Sequence, residues 1–468
     1  MSDRPRLLPL LGPGRGRDPM TCLYRCGNAC DHPVPNQSGN DYLGDVVREG
    51  VTRRGVIAAG AAGALVLGVG VEDAAAAAPA TATRPAGALT FKPIPPNTLD
   101  TFIVPNGYDS AVVIRWGDPI LPGAPGLDLH RQTAERQAAQ FGYNNDFLGV
   151  LPLGRDGTRA LLVANHEYTN EELMFPGFTG LGALSEEQVR VTLAAHGMSV
   201  VEIERAGRTG KWRPVRSRRL PYNKRITTLA TPFRFTGPAA GSSWVRTAAD
   251  PGGTTPVGTL NNCSGGVTPW GTVLSGEENF NQYFVGGDSV PADLKPRYAR
   301  YGISTTQRVP DGSRRWDRVQ ERWDLAKHPN EAHRFGWIVE VDPYEPGARP
   351  RKHTAMGRFK HEGANVIVSK KGNVVAYMGD DERFDYLYKF VSDKRHRPGD
   401  RKHNLTLLES GTLYVAKVTG DSPASEIDGS GKLPSDGLFD GTGRWIKLVS
   451  GNRSFVPGMT AAEVLTFT

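Results

Sequence analysis

The chain has 468 residues, 38% of them hydrophobic and 22% charged, with a formal net charge of +7. That charge is modest for the length, and the basic cluster Lys394-Arg395-His396-Arg397 has no interleaved aromatics to stack bases, which argues against a nucleic-acid binder. With 8% aromatic residues, 56 Gly, 35 Pro and only short apolar runs, the composition favours β structure joined by long loops.

At the start of the chain Cys22, Cys26 and Cys30 lie near His32, a grouping compatible with a metal cluster but set in a segment expected to be removed. Thr52-Arg53-Arg54-Gly55-Val56-Ile57 then opens an Ala/Gly-rich apolar run over 55–71, followed by acids and small residues. Paired arginines before a weakly apolar run are the pattern of a twin-arginine export signal. The run is barely long enough to span a bilayer and is poor in Leu and Ile, so cleavage is expected rather than anchoring. Residues 1–85 are therefore read as a disordered pre-sequence handled by the twin-arginine export machinery, and 86–468 as the folded domain of an exported protein. Once the pre-sequence is gone Cys263 is the sole cysteine. It is then an inert core residue, an intermolecular link, or a reactive or metal-bound sulfur.

Three later stretches share a layout. The first runs Asn144-Asn145-Asp146, an apolar strand over 148–153, a turn from Gly154 to Gly157, and a return into Asn165-His166-Glu167. The second runs Asn261-Asn262-Cys263, a turn at Pro269-Trp270-Gly271, and a return into Glu277-Glu278-Asn279. The third runs His361-Glu362-Gly363, a turn at Lys370-Lys371-Gly372, and a return into Gly379-Asp380-Asp381. Each is followed by another expected strand pair: 200–203 with 212–215, 337–341 with 351–354, and 413–417 with 445–448. Such four-strand units predict an all-β fold, a β-propeller with an incomplete or open ring and long inter-strand loops.

Because hairpin strands are antiparallel, the residues before the first strand and after the second meet at one end of the sheet. Asp146, Cys263 and Glu362 would share a rim with Glu167, Glu277, Glu278, Asp380 and Asp381. Asp146 and Cys263 each stand eight residues ahead of their turn glycine, and Glu362 ten, so its equivalence is looser. So many acids around one thiol would repel each other unless cations neutralise them, which points to a polynuclear metal site. Hard oxygen donors suit Ca²⁺ or Mg²⁺, whereas a thiolate suits iron or zinc. His166 and His361 are expected to support the site rather than ligate. Arg383 could clamp an anion or pair with the surrounding acids. No GxSxG elbow, HExxH helix, P-loop or Rossmann fingerprint is present.

On these residues the chain resembles the PhoX-type alkaline phosphatases of secreted bacterial proteins. The resemblance is carried by the pre-sequence, Phe-Gly-Tyr-Asn-Asn-Asp-Phe at 141–147, Val-Ala-Asn-His-Glu-Tyr-Thr from 163, the Cys263 segment, Arg-Phe-Gly-Trp-Ile-Val-Glu-Val-Asp-Pro from 334, Lys-His-Glu-Gly from 360 and Tyr-Met-Gly-Asp-Asp from 377. It implies a propeller channel holding a ferric (Fe³⁺) pair and Ca²⁺ ions that hydrolyses small phosphate monoesters, with a metal-bridging oxygen as nucleophile. It also implies a thiolate iron ligand at Cys263 and a carboxylate ligand at Glu362; the placing of Asp146, Glu167, Glu277, Glu278 and Asp380 with them rests mainly on the repeat. The family pattern continues with another acidic ligand and an arginine after the point where this chain reads Ala461-Ala462-Glu463 to Thr468, so a C-terminally shortened member of doubtful activity is expected. Two alternatives stand beside this reading: a non-enzymatic exported propeller that binds an anion or a protein through its loops, and a different metal-dependent ester hydrolase.

Overall fold

The computed structural model describes residues 94, 95, 99, 101–207, 209–382, 385–420 and 441–468. The export signal, Cys22, Cys26, Cys30 and Arg383 lie outside them. No helix among the described residues is long and apolar enough to cross a membrane. The chain divides into two compact units, the larger comprising Val113–Lys417 and Gly443–Thr468 among its described parts. In the described part of the smaller, Tyr108 N donates to Pro105 O (3.1 Å) and the Thr419 and Thr442 hydroxyls lie 3.0 Å apart.

Three sheets build the larger unit, apart from residues 418, 419 and 442 of the third, which fall in the smaller. Sheet 1 holds β1 (Asn145–Leu153), β2 (Arg159–His166), β3 (Gly197–Arg205) and β4 (Trp212–Pro214) in order, with β5 (Lys224–Ile226) also paired to β3. Sheet 2 runs β6-β10-β9-β8-β7, built from β6 (Arg234–Thr236), β7 (Asn262–Val267), β8 (Val273–Glu277), β9 (Ile338–Val341) and β10 (Arg351–His353). Sheet 3 runs in chain order through β11 (Val366–Val368), β12 (Asn373–Gly379), β13 (Leu387–Arg395), β14 (Gly411–Thr419), β15 (Thr442–Ser450) and β16 (Arg453–Ser454). Every pairing between these strands that is described is antiparallel except β6 with β10.

Sheet 2 lies between the other two because its strands alternate apolar side chains to both faces. On one face Val273, Val339 and Val341 pack with Leu151, Leu161, Val163, Met198 and Val200 of sheet 1. On the other, Leu274 and Ile338 pack with Val374, Ala376, Met378, Phe390 and Leu413 of sheet 3. The period of two thus makes one sheet the shared wall of two cores. The expected strand pairs recur in sheets 1 and 2. In sheet 3 the expectation skipped β13: the run 413–417 belongs to the fourth strand and 445–448 to the fifth. Lys394 and Arg395, read as loop, close β13 with their side chains in solvent.

The fold is mostly β rather than all-β, and among the described residues the sheets do not form a closed ring. Between β2 and β3 lies α1 (Glu186–Ala195), started by a reciprocal capping box between Ser185 and Gln188. It buries Val189, Val191 and Leu193 against a cluster supplied by the long 278–337 connection, including Tyr283, Trp316, Trp323 and Phe335. These insertions sit beside the hairpin ends where the expected site residues lie.

Candidate metal centre

At the open end of each sheet's first hairpin, two residues face each other across the ladder: Asn145 and His166, Asn262 and Glu277, His361 and Asp380. One more backbone hydrogen bond closes each hairpin outside that pair. Glu167 N donates to Asn144 O (3.0 Å), Glu278 N to Asn261 O (3.0 Å) and Asp381 N to Lys360 O (3.1 Å). All three hairpins therefore share one register. Asp146, Cys263 and Glu362 hold one equivalent position, and Glu167, Glu278 and Asp381 hold the other. Glu362 is a full equivalent, not a loose one; the third hairpin is simply longer between its open end and β11.

The local backbone explains why these positions face one another. Asn144 and Asn261 adopt φ of 47° and 46°, left-handed values that asparagine tolerates better than most residues. Immediately afterwards β1 and β7 are irregular before Leu148 and Gly265, a bulge of the kind that re-aims side chains at a sheet end. Neighbouring hairpins then touch through backbone. The Asn165 side-chain amide donates to Cys263 O, and His361 N donates to Glu277 O (3.2 Å). A Cβ on Gly276 would stand 2.1 Å from His361 O, so only glycine lets sheets 2 and 3 approach this closely.

The donor atoms gather into two groups, each with all its atoms within 4.8 Å: Asp146, Glu167 and Cys263, and Glu278, Glu362 and Asp381. The first group joins sheets 1 and 2, the second sheets 2 and 3. Cys263, Glu167 and Glu278 are buried, Glu362 is half-buried, and Asp146 and Asp381 are exposed. The gradient leads into a cavity of about 470 Å³ lined by Asp146, Cys263, Ser264, Glu362, Gly363, Gly379, Asp380 and Asp381. Cys263 is a thiol outside any disulfide, with Sγ 3.6 Å from Asp146 Oδ2. Burial pushes that thiol up, and the charges of Glu278, Glu167 and Asp146 push it further. As bare anions these groups destabilise one another, whereas a cation bound by carboxylates and a thiolate relieves both the repulsion and the burial. The donor set fits metal ions.

Other expected residues sit elsewhere. Glu277 is wholly buried, belongs to neither group and pairs with Lys352 Nζ at 2.7 Å. Burial raises its pKa and Lys352 opposes the rise. Asp380 lines the cavity but holds the position of His166 and Glu277, one residue short of the grouped acids. Burial, then the charge of Asp385, raises it to about 6, with Arg300 at 3.8 Å. His166 Nε2 accepts from Gly142 N (3.2 Å) and Ser199 Oγ (2.7 Å); His361 Nε2 donates to Gly357 O (3.0 Å). Burial lowers both histidines, His361 to about 3, so they remain neutral supports. Asp381 in place of Asp380 was readable: the grouped acid is the second residue of each pair, in His166-Glu167, Glu277-Glu278 and Asp380-Asp381. Lys352 and Asn165 carry no comparable local signal.

The description of alkaline phosphatase PhoX matches residues 89–468 of the chain. Among solved structures the chain is similar to Pseudomonas fluorescens PhoX in complex with vanadate, a transition state analogue, with a TM-score of 0.70 and 39% identity. The match covers 81% of this chain and 62% of that one. No protein of curated function matches. The chain belongs to the alkaline phosphatase PhoX family.

Proposed function

We propose that this protein is an exported, metal-dependent phosphatase acting on small phosphate monoesters at the six-donor site. The single observation that carries the reading is the register of the three hairpins, which gathers five carboxylates and Cys263 into two groups, with Asp146, Cys263, Glu362 and Asp381 lining one cavity. Family membership and the likeness to a phosphatase bound to vanadate support the same chemistry here. The three stacked sheets are read as consecutive propeller blades, and export rests on the paired arginines at 53–54.

Asp146, Glu167, Cys263, Glu278, Glu362 and Asp381 would hold Fe³⁺ and Ca²⁺, the thiolate selecting iron and the carboxylates accepting either. Bound cations supply Lewis acidity toward a phosphoryl oxygen and lower the pKa of water. The chain's own residues divide the remaining work. Glu167 and Glu278 hold the groups from their buried side, while Cys263, Asp146, Glu362 and Asp381 line the cavity through which the ester would enter. Arg300 is held by Asp385 (2.7 Å) and Lys360 by Glu382, the described residues on either side of Arg383 in the sequence. Arg383 is the proposed cation for the charge that develops on the transferring phosphoryl group.

A substrate panel tests this. The purified full chain should hydrolyse p-nitrophenyl phosphate, be inhibited competitively by orthovanadate, and leave a lactone and a carboxylic ester untouched. Hydrolysis of the lactone or carboxylic ester alone would replace the proposal with a different hydrolase.

A further inference from the structure

Directly behind the donors of sheet 2 lies a second, fully enclosed network. Lys352 and Glu277 both have zero solvent exposure. Glu277 accepts from Lys352 Nζ (2.7 Å), Thr259 Oγ1 (2.8 Å) and Trp337 N (3.2 Å). The Asn262 side-chain amide donates to Thr259 Oγ1 (2.8 Å) and Ser275 Oγ (3.0 Å). Lys352 also donates to Arg334 O (2.8 Å) and stands 4.2 Å from the Phe335 ring centroid. Asn262 and Glu277 are the residues that face each other across the ladder, and each is followed immediately by a donor, Cys263 and Glu278.

A buried lysine and glutamate rarely stabilise a fold more than apolar residues of the same size, so their presence calls for another reason. The corresponding positions in sheets 1 and 3 carry His166 and Asp380; Asp380 pairs with Arg300 at 3.8 Å and lines the cavity, so Glu277 alone of the three is sealed in a hydrogen-bonded pair with a buried lysine. Only sheet 2 feeds a donor to both groups. We infer that Lys352, acting through Glu277, Thr259 and Asn262, is a positioning residue that fixes Cys263 and Glu278 so that one sheet can serve both donor groups. The inference rests on the metal reading of the site. Lys352 itself touches neither donor group; its effect passes through the hydrogen-bonded ends of β7 and β8, which hold Cys263 and Glu278 at a set spacing.

The test is a Co²⁺ titration of the full chain in which Cys22, Cys26 and Cys30 are replaced by serine, following the thiolate-to-cobalt absorption band. Lys352→Met should weaken Co²⁺ binding about ten- to a hundredfold and shift the band. Glu340→Gln, which breaks the other buried charge network on the same strands, is the control and should change affinity less than about threefold even where it lowers the melting temperature as much. Equal losses of affinity in the two variants would make Lys352 an ordinary core residue and overturn the inference. Should Lys352→Met fail to fold, Glu277→Gln carries the test on the same criteria. An unaltered chain that binds Co²⁺ as tightly as Lys352→Met overturns the inference alone; one that binds no Co²⁺ overturns the metal reading and the inference together.

Discussion

A thiol that burial and three flanking acids hold protonated can bind a metal only when the cation displaces its proton, so Cys263 ties occupancy of the site to loss of one proton. Cys263→Ala should abolish the thiolate absorption band and lower phosphomonoester turnover by on the order of a hundredfold, whereas Cys22→Ala changes neither. Equal turnover in the two variants would remove the ligand role. At Glu340 the balance runs the other way. Burial alone would raise its carboxyl, but the hydrogen bond and charge of His353, with Arg351 and Thr272, lower it from 4.5 to about 2. A depressed carboxyl contributes stability that is present above its unfolded value and lost as the pH falls from about 4.5 through 2, here about 3 kcal/mol. Urea unfolding at pH 5 and at pH 2 should show the native chain losing about that much more than Glu340→Gln; parallel losses would contradict the pairing. Donor identities were largely legible in the sequence because an acid or a thiol recurs at each hairpin end. Asp380 and Asp381 look alike in the sequence until the backbone register separates them, and the counter-charge that Lys352 brings to Glu277 leaves no local trace.

Hairpins were the legible elements, since turn glycines and alternating apolar residues mark them independently of the rest of the chain. What escaped was set by tertiary context. β13 ends in the basic run that reads as solvated loop, and the signal of α1, Ser185 with Gln188 ahead of Val189 and Leu193, stands out weakly in a chain whose composition favours strands. Ser185→Ala should cost about 1 kcal/mol in chemical unfolding, the usual worth of a capping side chain. Gly276 marks where elements meet rather than where one turns. Gly276→Ala would drive a methyl group into His361 O and push Glu278 away from Glu362 and Asp381. The variant should lose about 1–3 kcal/mol of stability and a larger share of metal affinity than Ser185→Ala does. Stability lost with metal affinity intact would mean that the close approach of sheets 2 and 3 does not shape the site.

Across the molecule, three sheets in series place two donor groups at the two seams, with sheet 2 as their common wall. That placement is a property of the stack rather than of any one hairpin, which is why the repeat suggested a shared rim but not its division into two groups. One thiolate on the sheet 1 side and carboxylates alone on the sheet 2 to sheet 3 side make the two groups unequal in softness, so under the proposed reading they would differ in the metals they prefer. The chain spans 62% of the length of the solved PhoX structure, so its own activity has to be measured rather than inherited. The most direct measurement is the rate of p-nitrophenyl phosphate hydrolysis by the purified full chain as isolated, after removal of its metals, and after return of Fe³⁺ and Ca²⁺. The account predicts bound iron and calcium, a rate that falls to background on their removal, and recovery when both are restored. A chain that retains neither metal, or that turns over the ester equally well without them, would contradict it.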